Sequence, residues 1–446
     1  MRTKFLLILC AISCCFQRPA HGQFGLEQFV VNQTFFNRIE DRQFDLNFRR
    51  AGADALGMGG AFLASSSPGS ALWNPAALAQ VSRPSLAVNG AFNLNTQAVN
   101  SHRLSGLKVI PEIAPKILPT FAGASVPFAL LGKRASVGFA YQRLNPITPE
   151  LTQTFYFYPA GTTDEVENPQ GTIYALAPSL AFEPFPWLSV GASFQSIHGS
   201  TEYQFEGRST FIEDIVYYWL RDEESYEASR ALLGALIKPA SWLSLAATVT
   251  PAWSYKIKEE RESQFFVENF VGTTAFGDTI VTPDEELSRF EIVVPMFYAF
   301  GLALQPHAKL RLAFDFEARP WSQADIKADG VLQSTRLSDS NSYRLGLEYM
   351  SSTKWAEFPL RLGYYLDPSP YKDRYFRGTS YGEQVKGGVF TFGMGFVKKS
   401  VEMHLAIERG TKETEWWLDS GAYYNDRISS TKDTFNEITI TAYYRL

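Results

Sequence analysis

Cysteine is almost missing from this chain. Its three examples, Cys10, Cys14 and Cys15, all fall within the first fifteen residues. Everything downstream is therefore without a disulfide frame or thiol chemistry. Histidine is also scarce. Beyond residue 22 only His102, His198, His307 and His404 occur, far apart and with no nucleophile at a recognisable spacing. No His/Asp/Glu group has metal-ligand spacing, so no catalytic residue, metal or cofactor is expected. A Ser/His/Asp site assembled only in three dimensions is a minor alternative. Positive charge is in short supply as well. Net charge is −5, and removing residues 1–22 with Arg2, Lys4 and Arg18 leaves 38 basic residues against 46 acidic. Such a chain lacks the electrostatic footprint of a nucleic-acid binder. Finally, no run of 18 apolar residues follows residue 22. A membrane-spanning form must then be a closed β-barrel, because lipid offers backbone groups no water to bond.

What is present begins with a leader. Arg2 and Lys4 precede the apolar run Phe5–Ile12, and Ala20-His21-Gly22 supplies small residues before Gln23. This reads as a secretory signal over residues 1–22. Ala11-Ile12-Ser13 fits a lipoprotein site poorly.

From Ser85 the polarity alternates with a period of two. Leu310, Leu312, Phe314 and Phe316 oppose Arg311, Ala313, Asp315 and Glu317. Tyr343, Leu345, Leu347 and Tyr349 oppose Arg344, Gly346 and Glu348, and Val401–Ile407 oppose Glu402–Glu408 in the same way. In a soluble sandwich the apolar face is the core. In a membrane barrel it meets lipid and the charged face lines the lumen. Period alone does not choose; leader, size and loop pattern favour the barrel. Short connections (127–133, 183–186, 238–241, 305–308, 351–358 and 398–399) alternate with long polar segments such as 145–170, 201–225, 259–286 and 411–434. Six short turns, each joining two strands, and one strand at each end give about 14 strands. Aromatics make up 15% of the chain, enough to supply interfacial girdles. Pro178, Pro251 and Pro295 sit inside apparent strands, where they mark bulges or a kink beside a lateral opening.

Upstream of the strands lies Arg50–Gln80, rich in glycine and alanine. It contains Arg50-Ala51-Gly52, Gly57-Met58-Gly59-Gly60-Ala61-Phe62 and Ala71-Leu72-Trp73-Asn74-Pro75-Ala76. The glycines do not form a nucleotide loop, since no strand precedes them and no strand–helix–strand unit follows. The stretch resembles the N-terminal hatch of the FadL/TodX family of outer-membrane channels for hydrophobic compounds. Arg361-Leu362-Gly363-Tyr364 followed by Asp367-Pro368-Ser369-Pro370 is a weaker echo. The resemblance implies an all-β fold, a transmembrane antiparallel barrel of about 14 strands with an N-terminal hatch in its lumen. Residues 23–84 are then arm and hatch, and 85–446 the barrel.

It also implies a non-enzymatic outer-membrane channel for passive uptake of hydrophobic small molecules, long-chain fatty acids or aromatic hydrocarbons, with lateral exit. Gly57, Gly59, Gly60, Asn74, Pro75 and Ala76 become the gate. Phe211, Ile212, Ile215, Val216, Trp219 and Leu220 recur at helical spacing, which predicts an extracellular amphipathic helix. Phe265 and Phe266 are the natural opposite wall of an apolar cleft. The charges Arg311, Asp315, Glu317, Arg344, Glu348, Arg361, Glu402, His404 and Glu408 should pair across strands. Ile438, Ile440, Ala442, Tyr444 and Leu446 share one face of a terminal strand of the kind the barrel-assembly machinery reads. Partners on this reading are a hydrophobic ligand, outer-membrane lipids and that machinery, with no nucleic acid. The competing reading is a PorV-like barrel serving protein secretion.

Overall fold

The computed structural model describes residues 51–93, 96–101, 118–145, 151–157, 161–211, 214–269, 279–333, 337–370, 372–376, 379–416 and 429–446. Residues 1–50, read above as leader and arm, lie outside them.

Fourteen antiparallel strands close on themselves. They are β1 (Ser85–Asn93), β2 (Leu118–Leu130), β3 (Lys133–Arg143), β4 (Gly161–Phe185), β5 (Leu188–Phe211), β6 (Asp214–Ala240), β7 (Leu243–Thr250, continued by Trp253–Asn269) and β8 (Thr279–Val294, continued by Phe297–His307). Then follow β9 (Leu310–Arg319), β10 (Ser340–Ser352), β11 (Glu357–Leu366), β12 (Gly388–Lys398), β13 (Val401–Trp416) and β14 (Ser429–Arg445). β1 pairs with β2 on one edge and with β14 on the other, so the fourteen strands close into a barrel. The six short turns fall where the sequence places them. The β2–β3 turn is tight, with positive φ at Leu131 and Gly132, as a two-residue hairpin requires.

Exposure decides between the two meanings of the alternation. The apolar face is the exposed one: Leu345 52%, Leu362 57% and Phe390 70%. The charged face is buried, with Asp315 at 1% and Glu408 at 1%. Such inversion suits lipid outside and a lumen within. On the short-turn side Phe185 stacks on Trp187 (5.5 Å between centroids), and Trp355 meets Phe358 edge-on (5.4 Å). Trp242 stands exposed at the same level, completing an aromatic girdle. A closed barrel with this apolar belt places the chain in an outer membrane as a multi-pass protein.

Two expectations need correction. The polar stretches 145–170, 201–225 and 259–286, read as loops, are largely strand among the described residues. β6 pairs with β7 from Ile215–Glu268 to Ala228–Tyr255, well past the apolar belt. Its outward residues there are Glu223, Ser225 and Glu227, and those of β7 are Lys256, Lys258 and Glu260. The wall therefore rises into water as a sheet with a polar outside. The amphipathic helix predicted over 211–220 is not formed. Phe211 ends β5, Ile212 lies outside the described residues, and Ile215, Val216, Trp219 and Leu220 belong to β6. Val216 to Leu220 reads Val-Tyr-Tyr-Trp-Leu, a run of β-branched and aromatic residues that a paired strand favours over a helix.

Candidate functional site

Residues 51–84 fill part of the lumen. Gly52, at φ 89°, turns the chain into a one-turn helix, α1 (Ala53–Leu56). Gly59 and Gly60 (φ 65° and 71°) reverse it directly afterwards, in a conformation only glycine adopts without strain. A second turn, α2 (Ser70–Trp73), leads to Asn74, which caps the 3-10 segment Pro75–Gln80 by accepting from the Ala76 N–H at 3.1 Å. Pro75 occupies the first position of that segment, where its missing N–H costs nothing. Trp73 is fully buried. Its indole N–H donates to the Ala51 carbonyl at 2.8 Å, and its ring tilts against Phe62 at 6.1 Å.

Bonds to the wall leave in several directions. Ala53 N–H donates to Thr441 Oγ1 (2.7 Å), and the Tyr443 hydroxyl donates to Asp54. Gly59 N–H donates to Thr391 Oγ1 (2.9 Å), which in turn donates to the Gly57 carbonyl (3.1 Å). Asp315 Oδ2 accepts from both Phe62 and Leu63 N–H, at 2.7 and 2.9 Å. Asn74 Nδ2 donates to the Leu63 carbonyl (3.0 Å) within the hatch and to the Ala235 carbonyl (3.1 Å) in the wall. At the periplasmic end Gln80 Nε2 donates to Glu183 and Ser189, while Lys238 donates to Gln80 Oε1 at 2.8 Å.

Backbone fits against backbone at two places. Gly191 and Gly234 face each other across β5 and β6. A Cβ on Gly191 would lie 2.5 Å from the Pro75 carbonyl carbon, and one on Gly234 would lie 2.0 Å from Asn74 Oδ1. On the far wall Gly346 faces Gly363 across β10 and β11. There a Cβ would meet the Met58 oxygen at 2.6 Å and the Gly59 nitrogen at 2.1 Å. Of the wall residues in these cradles, the sequence reading singled out only Gly363, through the echo at 361–364.

The six residues expected to form the gate thus come together in one assembly. The tentative ligand residues do not form the predicted cleft of a helix facing a loop. They become neighbours in a sheet: Val216 opposes Val267, Tyr218 opposes Phe265 and Tyr217 opposes Phe266. Trp219 is half-buried and Leu220 buried.

A second feature escaped the sequence reading. Just outside the apolar belt the lumen face carries a buried apolar cluster of Ile197, Trp253, Tyr255, Phe290, Phe297 and Trp321 with their neighbours. Trp253 and Tyr255 stack at 5.3 Å, and Phe297 meets Trp321 edge-on at 5.5 Å. The signal was Trp253, Tyr255 and Ile257 alternating with Ser254, Lys256 and Lys258, directly before the segment read as polar.

Lumen charges pair as expected. Arg361 Nε donates to Glu348 at 2.7 Å, its Nη1 lies 3.0 Å from His404 Nδ1, and Tyr365 donates to Glu408 at 3.0 Å. Asp315 and Arg311 instead serve the hatch, the latter through Ser65 and the Ala64 carbonyl. Higher up, Asp222, Glu224 and Glu259 bring carboxylate oxygens within 4.8 Å, a trio no sequence spacing shows. Arg261 pairs with both Asp222 and Glu259, and Tyr226 donates to Glu224.

The wall prolines behave differently from one another. At Pro178 the β4–β5 ladder skips from Leu176–Ser196 to Ser179–Ser193 without a change of register. Ala177, within this gap, packs in the same cluster as hatch residues Leu72, Trp73 and Leu78. Pro251 and Pro295 interrupt β7 and β8 side by side, between the pairs Thr250–Phe297 and Trp253–Val294.

No family model and no curated protein matches the sequence. Solved structures do match. A Pseudomonas aeruginosa FadL homologue superposes with a TM-score of 0.60 at 13% identity, over 89% of this chain and 98% of that one. The Pseudomonas putida toluene transporter TodX gives 0.60 at 12%, over 90% and 99%. The CymD monoaromatic hydrocarbon channel gives 0.55 at 13%, over 90% and 99%. The resemblance carried by the hatch residues therefore holds at the level of fold, and these neighbours are channels and transporters, not enzymes.

Proposed function

We propose that this chain, built on the FadL-type fold, is an outer-membrane channel for passive uptake of hydrophobic small molecules. Its solutes are long-chain fatty acids or aromatic hydrocarbons, the hatch is its gate, and the solute leaves sideways through the wall. One observation carries the reading: the lumen outside the hatch is lined by buried aromatic and aliphatic side chains, where a water-filled pore has polar ones. An apolar solute gains there what it gains on leaving water, about 25 cal/mol for each Å² of apolar surface buried. The ladder gap at Ala177–Pro178 supports the lateral exit, because it lies in the wall beside the hatch and its outer side, Pro178 and Phe194, is exposed to lipid.

The test is uptake of radiolabelled oleate and of toluene by cells whose own channel is deleted and which express this chain. Wild type should restore uptake of at least one. Ile257→Asp, which places a charge in the apolar section, should abolish it while leaving heat-modifiable barrel mobility intact. Equal uptake by the variant, or none by the folded wild type, would remove the reading. The projecting polar rim of Glu223, Glu227, Lys256 and Lys258 favours the protein-secretion alternative. A stoichiometric protein partner in mild-detergent pull-downs, with no uptake activity, would establish that role instead.

A further inference from the structure

On the outer, lipid-facing side of the wall lies an apolar groove of about 790 Å³ that crosses β8 to β13. Leu345, Leu362, Phe390 and Ile407 form its sides, and Gly346 and Gly363 lie in its floor. At Gly346 and Gly363 a Cβ would point the other way, inward against Met58 and Gly59 of the hatch. On the outer face these positions are bare backbone, and the outward-pointing leucines and phenylalanines of the neighbouring positions stand around it.

In a bilayer a recess of this kind does not stay empty. Water finds no hydrogen-bond partners there, and an unfilled apolar void forfeits dispersion contacts along its lining. Hydrocarbon chain is the filler at hand. The extracellular end of the groove adds selectivity. Arg409 lines it, points outward and is exposed, and among the described residues it makes no hydrogen bond or ion pair. Beside it Tyr364 and Phe390 pack at 4.8 Å, an aromatic pair at the level where the apolar belt ends. An unpaired guanidinium at the headgroup level of an apolar groove is complementary to a phosphate, which it can hold through paired N–H donors.

We propose that this groove is a binding site for a phosphorylated glycolipid of the outer leaflet, of the lipid A class, with acyl chain in the groove and phosphate on Arg409. The leaflet follows from the position of Arg409 at the long-strand end of the barrel. The site is outside the lumen, so it stands or falls independently of transport.

Native mass spectrometry of the full chain in detergent, titrated with lipid A and separately with phosphatidylglycerol, tests it. Wild type should retain one lipid A more tightly than phosphatidylglycerol. Arg409→Gln should weaken that binding about tenfold, the loss of one charge-assisted contact, and Arg409→Lys should recover part of it. Leu362→Trp, which fills the groove from the lipid side, should remove the bound lipid, whereas Leu233→Trp on the lipid face of β6 should not. Heat-modifiable mobility verifies that each variant is folded. Unchanged binding by Arg409→Gln and Leu362→Trp would overturn the proposal, as would equal retention of phosphatidylglycerol or an equal loss from Leu233→Trp.

Discussion

Asn74 is fully buried, and both polar atoms of its amide are used: Oδ1 caps the 3-10 segment, while Nδ2 reaches one carbonyl in the hatch and one in the wall. Aspartate would offer no donor and alanine neither group. Asn74→Ala should therefore loosen the hatch, with each buried group left unpaired costing roughly 1–3 kcal/mol. Because no cysteine follows Cys15, a single Ala77→Cys reporter in the buried hatch can be read cleanly. Maleimide labelling of that reporter should accelerate in the Asn74→Ala background; an unchanged rate would mean that the bridge does not hold the hatch. Gly234→Ala acts from the other side. Its methyl would sit 2.0 Å from Asn74 Oδ1, so either hatch or wall must move, an overpacking cost of about 1–3 kcal/mol. Labelling should accelerate here too. At this scale the sequence was legible where the signal was local. Gly57 to Gly60 and Asn74 to Ala76 are short runs whose meaning lies within themselves. Their counterparts Gly191, Gly234 and Gly346 are isolated glycines more than a hundred residues away, and nothing local distinguishes them from any other strand glycine.

Strands explain the misreadings. Within the membrane belt the two faces differ in polarity, so Leu345 against Arg344 gives a clear period of two. Beyond it both faces are polar in places: Glu223 and Ser225 point outward while Asp222 and Glu224 point inward. The period vanishes from the sequence although the ladder continues, and a strand then looks like a loop. The same extension carries the ion pair of Arg221 with Glu202 (2.9 Å). The hydrogen bond from Arg221, helped by Gln204, holds the Glu202 carboxyl below its usual range. A depressed carboxylate contributes stability above its unfolded pKa, and that contribution disappears as pH falls through the folded value. Protection of the amides in 201–204, taken relative to their intrinsic exchange rate, should thus fall below the ordinary carboxylate range, and Glu202→Gln should flatten the dependence. Pro178 offers a sharper test. Pro178→Val returns an N–H to the β4–β5 ladder, worth about 0.5–1.5 kcal/mol if the bond forms. The variant barrel should unfold at higher urea and, if solute leaves at this gap, take it up more slowly. Faster or equal uptake would place the exit elsewhere.

For the molecule as a whole, the inverted distribution of polarity allows one stable setting, a bilayer. Exchanging the belt residues Leu345, Leu347 and Leu362 for serine should leave the lumen contacts intact and still prevent membrane assembly, visible as loss of heat-modifiable mobility. Deleting residues 51–84 removes hydrogen bonds to β9, β12 and β14 together with both glycine contacts. Planar-bilayer recordings should then show ion conductance along the exposed charges Arg344, Glu348 and Arg361, and the unfolding temperature should fall. The hatch touches β5 and β6 through Asn74 and Pro75, and β10 and β11 through Met58 and Gly59, two places five strands apart in a ring of fourteen. Mechanically that makes it a strut. A thin-walled cylinder resists stretching along its strands far better than it resists being squashed, and a brace across the bore supplies the stiffness the wall lacks. Withdrawing the brace frees the cross-section to change as well as the passage, so the curvature of the outer wall, and with it the fit of whatever lies against that wall, is set from the inside.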